Sequence, residues 1–321
     1  MCSISLEMAY HPRIESRELT WLLTTRSQNS AMWFVNNVAL EQEILGYAAR
    51  YTERYKTVLY ALAIEGNHCH AVMNFPGANR ANFMRDLNSS IARAIPRHVK
   101  EFIGGRLWAR RYSSEILPDP QDVERYFFYT VLQPVKDGLV ERISDYPGYN
   151  CFHDAIYNLP RTFRVVDWQA YNAAKVRNPH ILVKDHITTV TLRYERLPGY
   201  EKLSQKAYAK LMLKKLEDYR QEIINERRAK GLGFVGPSLI RKVLPGTLPR
   251  ETKTSTRLSH RPRVLCICPV RGAELRAWYF TIVYEYRAAS KLYRMGELSA
   301  TFPEGTYRPP TYPGIAFRFV E

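Results

Sequence analysis

Two apolar runs joined by a tight polar turn constrain this chain more than any other feature. Residues 57–64 (TVLYALAI) read as a buried strand, Glu65-Gly66-Asn67 has turn chemistry, and residues 69–75 (CHAVMNF) read as a second strand. The pair predicts a β-hairpin. On its N-terminal side, residues 19–26 (LTWLLTTR) are apolar and β-branched, as a strand requires. Residues 31–55 show helical spacing through Trp33, Val38, Ile44 and Leu45. On its C-terminal side, residues 79–97 predict a helix with Phe83, Leu87, Ile91 and Ile95 on one face. Residues 107–117 then predict a strand, and residues 122–132 a helix stopped by Pro134. The order β-α-β-β-α-β-α is that of an α+β, ferredoxin-like (split βαβ) antiparallel sheet with one extra helix.

Around residues 146–163 the chain becomes loop-like, with Tyr146-Pro147-Gly148-Tyr149-Asn150 and Asn158-Leu159-Pro160. A first domain of residues 1–155 and a largely helical extension of residues 156–321 are expected. The extension holds candidate helices at 204–230 and 272–294, the second crowded with Trp278, Tyr279, Phe280, Tyr284, Tyr286 and Tyr293. A loop rich in Gly, Pro, Arg and Thr (231–263) separates them. Lys202, Lys206, Lys210 and Lys214 recur every four residues and so share a helix face.

Charge divides at nearly the same point. Residues 1–160 carry 17 basic and 17 acidic side chains, whereas residues 161–321 carry 30 basic and 14 acidic, the whole of the net +16. Such asymmetry points to a polyanion-binding part, since a positive field attracts phosphate backbones of any sequence. Within the first half, positive charge gathers in residues 80–111. Arg80, Arg85, Arg93, Arg97, Lys100, Arg106, Arg110 and Arg111 stand against Asp86 and Glu101, interleaved with Phe83, Phe102 and Trp108. Arginines can track a single strand while its bases stack on rings, and Arg85, Arg93, Trp108, Arg110 and Arg111 are the expected contacts. The five cysteines (Cys2, Cys69, Cys151, Cys266, Cys268) form no CxxC pair, which excludes a zinc ribbon and fits a reducing cytoplasm. Cys266-x-Cys268 reads as small residues in a strand. No signal peptide is visible, no apolar run has the length of a membrane span, and no P-loop is present.

Chemistry concentrates in two places. In a strand, residues i and i+2 share a face, so His68 and His70 project together with Cys69 opposed, and two imidazoles can hold a divalent ion. Tyr129 and Gln133, four apart on the last predicted helix, share a face. A phenol can attack a metal-polarised phosphate, and the Gln133 carbonyl oxygen can serve as a third ligand. Either pair alone is also ordinary packing, and Tyr126, one turn earlier, competes with Tyr129 for the nucleophile role. Asp119 and Asp122 read as helix caps. Glu65 could be a ligand, but its turn position points to solvent exposure.

The order of these blocks resembles HUH single-tyrosine transposases, in the branch of REP-associated tyrosine transposases. Gly66-Asn67-His68-Cys69-His70-Ala71-Val72 is similar to their PNHxHLL stretch. Residues 82–88 resemble their next helix and 107–112 their next strand. Residues 129–140 (YTVLQPVKDGLV) resemble YIxxNPVRAGLV, and Asp145-Tyr146-Pro147 resembles DYPW. The departures are Gly66 for proline, Cys69 for a larger apolar residue, Gln133 for asparagine and Gly148 for tryptophan. The resemblance implies that His68 and His70 bind Mg²⁺ or Mn²⁺ and that Tyr129 attacks a DNA phosphate. That attack leaves a 5′-phosphotyrosine and a free 3′-hydroxyl, and strand transfer needs no ATP. The expected partner is single-stranded or hairpin DNA, met by a cytoplasmic, nucleoid-associated monomer or homodimer. Two other readings stay open: a DNA-binding protein with a silent site, and a basic RNA-binding protein with a structural HxH.

Overall fold

The computed structural model describes residues 12–249 and 264–309; Cys2 and residues 250–263 of the basic loop lie outside them. Strand β1 (Thr20–Arg26) leads through an irregular stretch to helix α1 (Val38–Tyr55). Helical spacing suggested a start at residue 31. The helix begins seven residues later because Asn36 takes a left-handed conformation (φ +52°) and the Asn37 side chain caps the Leu40 N–H at 3.0 Å. Strands β2 (Val58–Glu65) and β3 (His68–Asn74) form the hairpin around Gly66-Asn67, with Glu65 opposite His68 and Ala63 opposite His70.

Helix α2 (Arg80–His98) follows. The Glu15 carboxylate accepts its first two N–H groups, those of Arg80 and Ala81, at 3.0 and 3.1 Å. Strand β4 (Ser113–Leu117) completes a four-stranded sheet of order β2-β3-β1-β4, antiparallel throughout. The expected strand at 107–117 is thus shortened. Trp108 makes one bridge to Ser27, after which Arg110 and Arg111 turn out to solvent. Helices α1 and α2 cover one face of the sheet. There the Arg80 guanidinium stacks 3.5 Å over the Trp21 ring, and Thr25 donates to Asn88.

Helix α3 (Pro120–Val131) lies across the opposite face, and Asp119 and Asp122 form the expected capping box. Pro134 does not stop the helical path. Leu132 leaves helical geometry (φ −92°, ψ +4°), and α4 (Gln133–Lys136) adds one turn with proline in its first positions, where no N–H is needed. The extension contributes α5 (Phe152–Tyr157), β5 (Arg161–Val166), α6 (Trp168–Arg177), β6 (Ile187–Leu192), α7 (Gln205–Ala229), α8 (Pro237–Ile240) and α9 (Pro269–Arg294). It is therefore not helical alone: β5 and β6 pair as a two-stranded antiparallel sheet against the outer side of α1. A Cβ on Gly46 of α1 would come within 2.6 Å of Val165, so the close approach requires glycine there.

Helix α7 backs the α3–α4 segment. Tyr219 packs on Phe128 with ring centroids 5.0 Å apart, Lys215 pairs with Glu124, and Arg227 donates to the Lys136 carbonyl. Lys206, Lys210 and Lys214 occupy its exposed side. The hydrophobic core runs continuously across residue 155, joining Phe163, Leu192, Tyr208 and Met212 to Phe127, Phe128 and Leu62. Cys266 and Cys268 are free thiols at the approach to α9, where Val264 bridges Ile116 of β4. No helix among the described residues is long and apolar enough to cross a membrane. Met212 of α7 is fully buried. Met212→Ala is expected to cost roughly 2–5 kcal/mol in urea unfolding, the range for truncating a buried large residue. A cost below about 1 kcal/mol would show that α7 only rests on the domain.

Candidate active site

The β2–β3 register sends the side chains of His68 and His70 to the face covered by α3. Their rings lie 4.7 Å apart, edge to face, and both residues are buried. Each imidazole is oriented by a neighbour. The Asn67 amide donates to the Ser30 carbonyl, which leaves Asn67 Oδ1 to face His68 Nδ1 at 2.6 Å. Thr24 on β1, the register partner of His70, meets His70 Nδ1 at 2.9 Å. Both δ nitrogens are therefore engaged, and the ε nitrogens are left for a ligand. Burial holds both rings in the neutral, ligating form. His68 is pushed down to about 4, with Arg26 adding to the effect, and His70 to about 3, with His68 adding to it.

Tyr129 enters from α3 and lies edge-on to His70, with ring centroids 5.8 Å apart. Tyr126 packs against Tyr129 at 5.6 Å, one helical turn back. Lys136 Nζ sits 4.5 Å from the Tyr129 ring centroid. Burial, then the Glu115 and Asp137 carboxylates, raise the Tyr129 phenol above its ordinary value, so it rests protonated at neutral pH. Gln133, on α4 just past the break at Leu132, bonds the Asp137 carboxylate that clusters with Glu65 and His68. Its Nε2 donates to Asp137 at 3.2 Å, and its buried Oε1 has no hydrogen-bond partner.

Sequence reasoning placed Glu65 in solvent; the structure buries it at 3% exposure, with Oε1 unpartnered. Its Oε2 lies 3.6 Å from His68 Nε2. Glu65, His68 and Asp137 offer ligand atoms that all lie within 4.8 Å of one another. Burial, then Asp137, pushes the Glu65 carboxyl up to about 8. The missed signal was the turn length: a two-residue turn makes Glu65 the cross-strand partner of His68. The donor set suits a hard divalent cation, with imidazole nitrogens, an orphaned amide oxygen and carboxylates converging. Asp119, Asp122 and Cys266 also cluster, but the Asp122 oxygens are taken by the Asp119 and Ile267 N–H groups.

The basic residues separate into two groups. Arg85, Trp108, Arg110 and Arg111 line one cleft of about 450 Å³ together with Arg13, Arg106 and Tyr112. This cleft lies on the α2 side of the sheet, across it from Tyr129. Arg93 lies eight residues beyond Arg85 on α2, outside the cleft, and bonds to Ser89. Arg80 and Arg97 are internal partners of Glu15 and Glu43. Crowding shows at Arg13, which burial and then neighbouring charges, Arg111 and Arg80 among them, bring down to about 10 although Tyr112 works in the other direction.

In chelator-treated protein the buried neutral histidines set a pH dependence. The unfolded chain takes up protons near the ordinary histidine value of 6.5, before the folded chain does. Their contribution to stability is complete above that pH and is lost as pH falls through about 4 for His68 and about 3 for His70. The urea midpoint is expected to drop more steeply between these limits than in a His68→Gln/His70→Gln variant. Equal slopes would show that the imidazoles are not held neutral.

Residues 20–127 match the family model described as "Transposase IS200 like". The matched segment includes His68 and His70 and ends two residues before Tyr129. A putative REP-associated tyrosine transposase of Haemophilus influenzae is 29% identical over 110 residues, 32% of this chain and 62% of that relative. The chain thus spans less than two thirds of the curated relative it matches. Among solved structures, a REP-associated tyrosine transposase bound to a REP hairpin overlaps 46% of this chain and 84% of its own, at 19% identity and a TM-score of 0.39. The tRNA(His) guanylyltransferase of Saccharomyces cerevisiae overlaps 40% of this chain and 63% of its own, at 8% identity and a TM-score of 0.31. Over residues 20–127, the chain is similar in sequence to the IS200-like transposase family.

Proposed function

We propose that this protein is a divalent-metal-dependent endonuclease and strand transferase acting on single-stranded or hairpin DNA, with Tyr129 as nucleophile. The observation that carries the reading is the meeting of Tyr129 with His70, beside His68 and the unpartnered Gln133 oxygen. The strand order β2-β3-β1-β4 with its two crossover helices supports a ferredoxin-like frame for this site. His68, His70 and Gln133 would hold Mg²⁺ or Mn²⁺, which supplies charge stabilisation at the scissile phosphate. Thr24 and Asn67 fix the rings that hold it.

The Tyr129 oxygen forms a bond to phosphorus and the P–O3′ bond breaks. The product strand ends are a 5′-phosphotyrosine and a 3′-hydroxyl, so the phenolic proton is balanced by the proton gained at O3′. Burial raises the phenol above its ordinary value, so attack requires an acceptor for this proton. Lys136, beside the ring, is placed to meet the phosphate charge. The reverse reaction, with another strand's 3′-hydroxyl, completes transfer without ATP. The cleft holding Arg85, Trp108, Arg110 and Arg111, together with the positive charge of residues 156–321, is read as the DNA grip, the arginines and lysines on phosphates and Trp108 on a base.

Tyr129→Phe is expected to abolish the covalent protein–oligonucleotide adduct while leaving hairpin affinity within about twofold, because no charge changes. Tyr126→Phe should keep the adduct. An adduct that survives in Tyr129→Phe and disappears in Tyr126→Phe would transfer the nucleophile role. Binding with no adduct in the native protein, in Mg²⁺ and in Mn²⁺, would leave a silent DNA-binding protein. For the cleft, Arg110→Ala/Arg111→Ala should weaken single-strand binding and flatten the log–log salt slope by roughly 0.7 per lost phosphate contact. An unchanged slope would place the strand elsewhere.

A further inference from the structure

We infer that Glu65 and Asp137 are additional ligands of the divalent cation in this chain, giving it a carboxylate-rich site beyond His68, His70 and Gln133. The inference rests on the metal-dependent reading above and specifies the site's composition. Its root is the hairpin register, which sets Glu65 directly across from His68 on the face toward α3. Asn67 Oδ1 can only accept, so it takes the proton of His68 Nδ1 and leaves Nε2 with a bare lone pair. That lone pair faces the Glu65 carboxylate at 3.6 Å. Once both groups are deprotonated, two acceptors face each other in a buried space, and either a proton or a cation between them satisfies both.

No lysine or arginine among the described residues pairs with Glu65, and its Oε1 has no hydrogen-bond partner. Asp137 brings a second carboxylate within 4.8 Å of Glu65 and His68, from the end of α4. Gln133, buried at 7% exposure, bonds Asp137 through Nε2 and has an equally unpartnered Oε1. In the YIxxNPVRAGLV block the position of Asp137 is alanine, so this carboxylate is a property of the present chain. Two carboxylates, an amide oxygen and imidazole make a hard, mainly oxygen donor set that selects Mg²⁺ or Mn²⁺ over soft ions.

The test is Mn²⁺ titration of the full-length protein, read by calorimetry and by thermal midpoint, with no DNA present. Native protein should bind Mn²⁺ and gain stability as it saturates. Glu65→Gln should weaken Mn²⁺ binding roughly tenfold or more. Its metal-free midpoint should be nearly unchanged, because glutamine keeps the size of the side chain and a donor toward His68 Nε2. A purely structural Glu65 would give the opposite pattern, a lower metal-free midpoint with native Mn²⁺ affinity, and that result overturns the inference. Asp137→Asn, at an exposed position, tests the second ligand without risk to the core; native affinity there removes Asp137 from the set. His70→Ala separates the two levels of the argument. If it abolishes binding while Glu65→Gln and Asp137→Asn keep native Mn²⁺ affinity, the metal reading stands and the carboxylate ligands fall. If native protein binds no Mn²⁺, both fall.

Discussion

The register of the β2–β3 hairpin is the constraint on which the site depends. A shift of β3 by one residue would turn His68 and His70 toward α1 and α2, away from Glu65, and bring Cys69 to the face of Tyr129. The turn is held from outside the hairpin. Ser27 and Phe34 donate their N–H groups to the carbonyls of Asn67 and Gly66, and Asn67 returns a side-chain bond to Ser30. A side chain at Gly66 would come within 2.8 Å of both Met32 and Val35. The irregular stretch before α1 is therefore a clamp on the turn, and its left-handed Asn29, Ser30 and Asn36 are the backbone cost of that clamp.

The second half of the site depends on a helix that bends. Were α3 to run straight through Gln133, Tyr129 and Gln133 would simply stack one turn apart on its surface. Tyr129 meets His70 from α3 before the break at Leu132, and beyond it Asp137 reaches His68 and Glu65 and accepts from Gln133. Helix α7 stabilises that bend from behind, through Tyr219 on Phe128 and Arg227 on the Lys136 carbonyl. The basic extension thus has two surfaces, one structural and one charged. Lys206, Lys210 and Lys214 stand on the exposed side, while Tyr208 and Met212 join the core.

What the sequence revealed followed from short-range periodicity. The two-residue period put His68 and His70 on one face, and the four-residue spacing put Tyr129 and Gln133 on one helical path. Features set by side-chain competition or by distant contacts were not legible. Asn37 capping overrode the apolar spacing through Trp33, and Glu65 changed from a solvent residue to a buried one once the turn was counted as two residues. Pro134 permitted another helical turn because it occupies a first position. The β5–β6 pair did carry a signal, alternation of Phe163 with Val165 and of Val190 with Leu192, that the looser composition around it obscured. The arginine cleft needed the fold, since Arg13 comes from the segment before β1 and Arg85 from α2 to meet Arg110 and Arg111.

The central claim is that a divalent cation is held between the hairpin and α4, within reach of Tyr129. Anomalous diffraction at the manganese edge from crystals soaked in Mn²⁺ tests it most directly. The account predicts a peak about 2.0–2.4 Å from the ε nitrogens of His68 and His70, with carboxylate and amide oxygens of Glu65, Asp137 or Gln133 at similar range. A peak at Asp119 and Asp122 with none at the histidines, or no peak at saturating Mn²⁺, would contradict it.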